Sequence, residues 1–425
     1  MKILHRILAH LARAIIRRYR PTIVGITGSA GKTSAKEAVY AALASTTAVR
    51  ATYKSYNNQI GLPLTVVGTL TPGKNPLGWL RVFVRSLRLL TFRVRYPKVL
   101  VLEMGADRPG DIAYLTGIAA PDVSIVTSVG TAHIEFFGSV GAIAEEKGSI
   151  VRALTPDGTA ILCADDERVA AMRALAKGRV VTYGYQETAD VRAVRVEHVR
   201  EPKTLAVRGL RLTAALSGRE VTFELPGVLG KGHVLSALAA LAAARVLGVP
   251  VEKAAEGLAR YAPPPGRVRL IPGVKGTVLI DDTYNSSPDA VHEALEALRT
   301  IPCPDGCRRF ALLGDMLELG GLTESAHASV GKRAVECGVN ILVAVGERMR
   351  DAAEAARRAG LSEDRVILMK DASTASRFLQ DRIRAGDVVL VKGSQGMHME
   401  RAVLELMAAP ERADELLCRQ TKEWK

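Results

Sequence analysis

No stretch of about 18 apolar residues occurs anywhere in the chain, so no segment reads as a transmembrane helix. Arginines interrupt every candidate apolar run near the start, which excludes a secretory signal peptide. Aromatic residues make up only 4% of the 425, so the cores must be built largely from Ala, Leu and Val. The five cysteines (Cys163, Cys303, Cys307, Cys337 and Cys418) suggest no paired framework. Cys303 and Cys307 flank a Pro-Asp-Gly turn, but two sulfurs fall short of the four ligands of a structural zinc site. The expectation is reduced cysteines in a cytoplasmic protein. Acidic residues are wholly missing from residues 1–20 and 73–98, which hold much of the net charge of +14.

Those two acid-free segments are amphipathic at helical spacing. Ile3, Ile7, Leu11 and Ala14 share one face of the first. Leu80, Phe83, Val84 and Leu87 share one face of the second, with Arg81, Arg85 and Arg88 set apart from them. Basic amphipathic helices with aliphatic anchors point to peripheral membrane contact, the alternative being a helix packed on the protein with a solvated basic face. Nucleic acid is not expected, because no stacking aromatics are interleaved with the charges.

The chain length suits two or three domains, and the 48% hydrophobic content argues against disorder. Apolar runs at Thr22–Ile26, Val99–Glu103, Val123–Thr127 and Ala160–Cys163 alternate with helical patterns, which predicts a mostly parallel sheet. Residues 190–225 predict an antiparallel part with runs at Leu205–Val207, Leu210–Leu216 and Val221–Leu225, followed by Ala-rich helices at 233–247 and 251–260. Pro263-Pro264-Pro265-Gly266 stops helix formation and reads as a hinge. Beyond it five βα units follow, with strands at Val278–Asp281, Phe310–Leu313, Ile341–Val345, Val366–Leu368 and Val388–Val391, and helices at 288–300, 323–338, 348–359, 373–385 and 397–408. The fold class is α/β: a basic segment over 1–20, a P-loop central domain over 21–262 carrying the 73–98 insert, and a Rossmann-like domain over 263–425.

Thr27-Gly28-Ser29-Ala30-Gly31-Lys32-Thr33-Ser34 joins the first strand to the first helix. Glycines there let backbone N–H groups wrap a polyphosphate, Lys32 reaches the outer phosphates and the Thr33 hydroxyl ligates magnesium. The strict phosphate-loop pattern is not met, since Ile26 holds the first glycine position and Gly25 comes one residue early. The strand–loop–helix context still points to ATP.

From this loop to about residue 408 the sequence resembles the Mur ligases, the ATP-dependent amide ligases of peptidoglycan (cell-wall) precursor synthesis. The motifs come in the family's order: the loop, Asn57–Pro63, Glu103-Met104-Gly105, Ala132-His133, Glu146-Lys147, Pro265-Gly266-Arg267, Asp281–Asn285, Leu313–Gly320 and Lys392-Gly393-Ser394. The Asp281–Asn285 and Leu313–Gly320 segments look most like the member that adds D-alanyl-D-alanine to a muramoyl-peptide. In that chemistry a carboxylate attacks the ATP γ-phosphate to give an acyl phosphate, which an amine then converts to an amide. Assembling several anions demands cations.

By resemblance, Glu103 and His133 join Thr33 as magnesium ligands, and Lys147 aligns with a lysine carried as a carbamate; Ala144–Lys147 alone would be an ordinary exposed charge run. Arg267 follows the hinge and would swing onto the phosphates. Asp282 would hold the ribose, with Tyr284 and Asn285 beside the nucleotide, and Asn57 and Asn58 would line the phosphate and substrate side. Lys392 and Ser394 are candidates for the incoming amino-acid carboxylate. Asp315 and Glu318 would orient the amine, with a helix cap the alternative for Asp315.

Two departures stand out. His233 and Ser236 occupy positions where the family has asparagines, the first on the adenine, and an imidazole cannot copy a bidentate amide. The phosphate loop also begins about 20 residues in, where family members spend a uridine-diphosphate-binding domain first. A membrane-held precursor would fit both that absence and the basic segments. The same chemistry on another acceptor, such as folate polyglutamation, and a silent ATP-binding subunit are the competing readings. A monomer is expected.

Overall fold

The computed structural model describes residues 2–201, 206–303 and 306–420. Leu205 and residues 421–425, included in the expectations above, lie outside them, as do Pro304 and Asp305.

Two sheets form the frame. The first has nine strands: β1 (Thr22–Thr27), β2 (Val49–Ala51), β3 (Val99–Glu103), β4 (Val123–Val126), β5 (Thr159–Cys163), β6 (Arg179–Gly184), β7 (Val191–Arg200), β8 (Val207–Leu216) and β9 (Arg219–Pro226). Their spatial order is β2-β3-β1-β4-β5-β6-β7-β8-β9. Pairing is parallel from β2 to β7 and antiparallel through β7-β8-β9. The antiparallel extension alternates burial along β8, where Leu210, Leu212 and Ala214 are buried and Arg208 and Arg211 exposed, as a sheet covered on one face requires.

The second sheet comprises β10 (Arg269–Pro272), β11 (Val278–Asp282), β12 (Arg309–Gly314), β13 (Ile341–Val345), β14 (Val366–Met369) and β15 (Val388–Lys392), in the order β10-β11-β15-β12-β13-β14. Only β10 runs antiparallel, as an edge strand paired with β11. The five strands expected here are present; β2, β6 and β10 were not anticipated, being short or weakly apolar. Helices stand at Pro288–Thr300, Thr323–Glu336, Met349–Arg358 and Ala372–Arg382. The expected 397–408 helix is shorter, Glu400–Leu406, because a 3-10 turn at Gln395–Met397 and a left-handed His398 precede it.

In the first lobe α1 (Lys2–Tyr19), α2 (Lys32–Ala44), α3 (Gly61–Val67), α4 (Pro76–Thr91) and α5 (Asp111–Ile118) cover the sheet. Both basic segments are helical, and the residues each buries are mostly not those of the apolar faces named above. α1 buries Leu8, Ala12 and Ile15 and leaves Ile3 and Ile7 exposed. α4 buries Val82 and Leu89 and half-buries Phe83, leaving Leu80, Val84 and Leu87 outward on the same surface as Arg81, Arg85 and Arg88. Each helix carries apolar residues on two sides, so periodicity could not say which side faces the core.

The cysteine expectation is corrected at one pair. Cys303 and Cys307 form a disulfide, their Cα atoms 5.4 Å apart, within the span such a bond needs. Cys163, Cys337 and Cys418 are free and buried.

Candidate active site

The phosphate loop leaves the carboxyl end of β1, between β3 and β4 in the sheet, where an open α/β sheet gathers ligands. The loop after β4 braces it. Ser29 N–H donates to Ser128 O (2.8 Å), Ala30 N–H to Ser128 Oγ (3.0 Å), and Thr127 Oγ1–H to Ala30 O (2.5 Å). The approach is close enough to require glycine: a Cβ on Gly28, at φ 149°, would sit 2.0 Å from Thr127 Oγ1. Lys32 folds back onto the loop, donating to Gly28 O (2.7 Å) and Ser29 O (3.2 Å). Burial lowers its pKa and the nearby Glu103 opposes that shift. No side chain caps α2, so its amino-terminal dipole points at the loop unscreened.

Glu103 ends β3 at 1% exposure. Its Oε1 accepts from Asn57 Nδ2 (2.9 Å), while Oε2 is buried with no hydrogen-bond partner among the described residues. An ionised oxygen stranded in this way is costly unless a cation or donor meets it, so the residue fits a magnesium ligand. Thr33, also buried, stands on the first turn of α2. His133 lines the cleft with the loop, and its Nδ1 lies 3.1 Å from Glu318 Oε2 on the opposite lobe. Among the described residues no three His, Cys, Asp or Glu side chains gather into a metal cluster. Magnesium keeps waters and phosphate oxygens among its ligands, so a single carboxylate and a hydroxyl suit it.

Lys147, on the helix Val140–Arg152, is not part of an exposed charge run. It is buried, and desolvation first and Lys32 second bring its pKa down to about 7. Glu146 is buried too, and caps α5 by accepting from Gly110 N–H and Ile112 N–H, both at 2.7 Å. Only Glu145 matches the exposed reading; it pairs with Arg152.

The second lobe's wall is mostly self-satisfied. Lys392 is 2% exposed and donates to Asp282 Oδ2 (2.6 Å) and Asn285 O (2.9 Å). Asp282 Oδ1 accepts from Val268 N–H (3.3 Å). The residues expected to hold the ribose and the incoming carboxylate are thus joined to each other. Asp315 Oδ1 caps the helix Met349–Arg358 through Met349 N–H (2.9 Å), and Ser394 Oγ accepts from Leu317 N–H (2.9 Å). Asn58 Oδ1 likewise caps α3, at Ile60 N–H and Gly61 N–H.

The lobes meet through polar contacts. Tyr284 O–H donates to Ser55 Oγ (2.8 Å), Asp289 Oδ2 accepts from Thr131 N–H and Oγ1–H (both 3.1 Å), and the Arg267 guanidinium lies 4.0 Å from the Tyr284 ring centroid. His233, where the resemblance leads one to expect an asparagine, is spent internally: Nδ1 meets Tyr261 Oη (3.0 Å) and Nε2 meets Arg267 O (2.6 Å). Burial drops its pKa to about 4, so it is neutral, and both nitrogens are engaged. Ser236 Oγ–H donates to Gly232 O (2.8 Å) within its own helix.

Sequence reasoning missed several supports. Asp281 accepts from Gly266 N–H, Thr283 N–H and Thr283 Oγ1–H, and burial lifts its pKa to about 6. Arg419 clamps the same turn, donating to Thr283 O (2.5 Å), Tyr284 O (3.0 Å) and Glu400 Oε2 (2.6 Å). Nothing local in sequence signals a contact across 135 residues. The polar Thr127-Ser128 pair at a strand's carboxyl end was the one available hint.

These elements enclose a cleft of about 490 Å³ between the lobes, lined by the loop at Ser29–Gly31, Thr131–His133, Lys231–His233, Arg267, Asp282 and Lys392 among others. That size suits a nucleotide-scale ligand. Two family models match the chain: the Mur ligase middle domain over residues 26–73 and 85–244, and the Mur ligase glutamate ligase domain over 266–395. The UDP-N-acetylmuramoyl-tripeptide–D-alanyl-D-alanine ligase of Mycobacterium tuberculosis is 36% identical over 393 residues, covering 88% of this chain and 70% of that protein. The enzyme of the same name from Bacillus subtilis is 30% identical, covering 95% and 79%. Among solved structures, the MurF ligase of Thermotoga maritima in complex with ADP superposes with a TM-score of 0.77 at 29% identity, covering 94% of this chain and 82% of that one. The chain belongs to the Mur ligase family of ATP-dependent ligases.

Proposed function

We propose that this protein adds D-alanyl-D-alanine to a muramoyl-tripeptide, releasing ADP and phosphate. One observation carries the chemistry: a phosphate loop with its lysine stands near a buried carboxylate oxygen that has no partner among the described residues. A bound Mg²⁺ on Glu103 and Thr33 would neutralise phosphate charge during transfer. Loop amides and Lys32 hold the outer phosphates in line with the attacking carboxylate oxygen, which takes the γ-phosphoryl group as ADP leaves. Arg267 reaches the same cleft from the hinge and adds a second cation. The dipeptide's neutral amine then attacks the acyl carbon, losing a proton as phosphate departs. Lys147, with a pKa of about 7, is in good part the neutral amine at neutral pH, the form that adds carbon dioxide to become a carbamate.

Asp282, Tyr284 and Asn285 border the nucleotide. His133 and Glu318 join the lobes in the form described and separate when the cleft opens for substrate. The protein acts as a cytoplasmic monomer that works at the inner face of the membrane. The test is ATP-dependent phosphate release with Mg²⁺, D-alanyl-D-alanine and UDP-muramoyl-tripeptide. Release requiring both substrates, with a product heavier by one dipeptide minus water, supports the assignment. Release with a different acceptor alone overturns it.

A further inference from the structure

The inner-face placement can be made specific to one surface. α4 is apolar on two sides. Val82, Ser86 and Leu89 face the core, while Leu77, Leu80, Val84 and Leu87 recur at helical spacing on the outside, 66%, 57%, 58% and 61% exposed. Single exposed aliphatics are ordinary, but four in a row along one helix are not. α1 packs on α3 and α4, and Tyr19 O–H donates to Leu89 O (3.0 Å) and Phe92 O (3.2 Å), fixing the two basic helices side by side. α1 adds Ile3, 75% exposed, and Ile7, and Phe92 is 65% exposed at the end of α4.

The charge around this apolar row is of one sign. A shallow groove of about 480 Å³ beside Leu80 and Val84 is lined by Arg50, Arg81, Arg85, Arg88 and Arg95 and by no acid. No acidic residue occurs over 73–98. The family match skips residues 74–84, the segment that presents Leu77, Leu80 and Val84.

We propose that α1 and α4 dock the protein on an anionic lipid surface, Leu77, Leu80, Val84 and Leu87 entering between headgroups while Arg81 and Arg88 meet their phosphates. Charge complementarity selects this occupant. A second copy of the chain would set arginine against arginine. Single-stranded nucleic acid would find aliphatics where stacking rings are needed. Among the described residues no helix is long and apolar enough to span a bilayer.

The test is sedimentation of the full chain with vesicles of phosphatidylcholine alone or mixed with phosphatidylglycerol. The wild type is expected to pellet with the anionic vesicles only, and less as salt rises. Leu80→Asp/Leu87→Asp is expected to lower the vesicle partition coefficient about tenfold or more, and Arg81→Ser/Arg88→Ser to lower it while removing most of the salt dependence. All four side chains are exposed, and ligase turnover on soluble UDP-muramoyl-tripeptide should be unchanged in both variants, which checks folding. Equal pelleting of wild type and both variants would overturn the proposal. So would a wild type that ignores anionic vesicles, or one that sediments as a dimer dispersed by Leu80→Asp/Leu87→Asp. Vesicle binding with no ligase turnover would instead reject the substrate assignment and leave the docking surface standing.

Discussion

Two sheet edges face each other across the cleft, and they treat their charged groups in opposite ways. On the first sheet's edge, Lys32 donates to loop carbonyls, Glu103 keeps one oxygen without a partner among the described residues, and Lys147 is buried with its pKa lowered to about 7. On the second, Lys392 and Asp282 neutralise each other, Asp315 caps a helix and Ser394 holds a backbone amide. Open electrostatic demands mark where ligand charge is to be received, whereas satisfied ones mark a scaffold. On the proposed function, phosphoryl transfer belongs to the first edge and positioning to the second.

The largest expected effect breaks the first edge. Lys32→Ala should lower kcat by about 10²–10³-fold or more, measured as phosphate release, with thermal stability little changed. Next, Lys392→Met should destabilise the fold by about 3–5 kcal/mol in urea unfolding, because it strands a buried Asp282 charge. Asp282→Asn/Lys392→Met should recover much of that loss. If Lys392→Met instead raised only the KM for D-alanyl-D-alanine, Lys392 would bind the dipeptide carboxylate and the second edge would not be a mere scaffold. Glu103→Gln, which keeps a partner for Asn57 but removes the charge, should raise the Mg²⁺ needed for half-maximal rate by about tenfold.

A smaller effect concerns pH. His233 has its folded pKa lowered to about 4, so between pH 6.5 and 4 the unfolded chain binds the proton and the folded chain does not. Its contribution is therefore full above pH 6.5 and is lost progressively as pH falls toward 4. His233→Asn should flatten the stability-versus-pH slope in that window relative to wild type; an unchanged slope would mean the imidazole is not held neutral.

The sequence made much of this legible where the signal is local. Thr27–Ser34 announced strand, loop and helix through its glycines, and the alternating apolar runs located both sheets. What stayed hidden depends on contacts between distant segments. Asp282 and Lys392 lie 110 residues apart, and neither spacing nor residue type shows that they neutralise each other. Glu146 looks like any helical surface charge until α5 brings its amides over. Likewise α1 and α4 are amphipathic on paper, but only the packing of Leu8, Ile15, Val82 and Leu89 inward shows which apolar residues remain outside. The Cys303–Cys307 disulfide is set by local reach, with Cα atoms 5.4 Å apart, which the overall count of cysteines does not show.

The most direct test separates the two half-reactions. Wild type, Lys32→Ala and Asp282→Asn/Lys392→Met would each be incubated with ATP, Mg²⁺ and UDP-muramoyl-tripeptide without dipeptide, and any acyl phosphate trapped by borohydride reduction to the alcohol. Trapped product is expected for wild type and, at saturating ATP, for the double variant, and none for Lys32→Ala. Equal loss in both variants would contradict it, since the second edge would then take part in phosphoryl transfer itself.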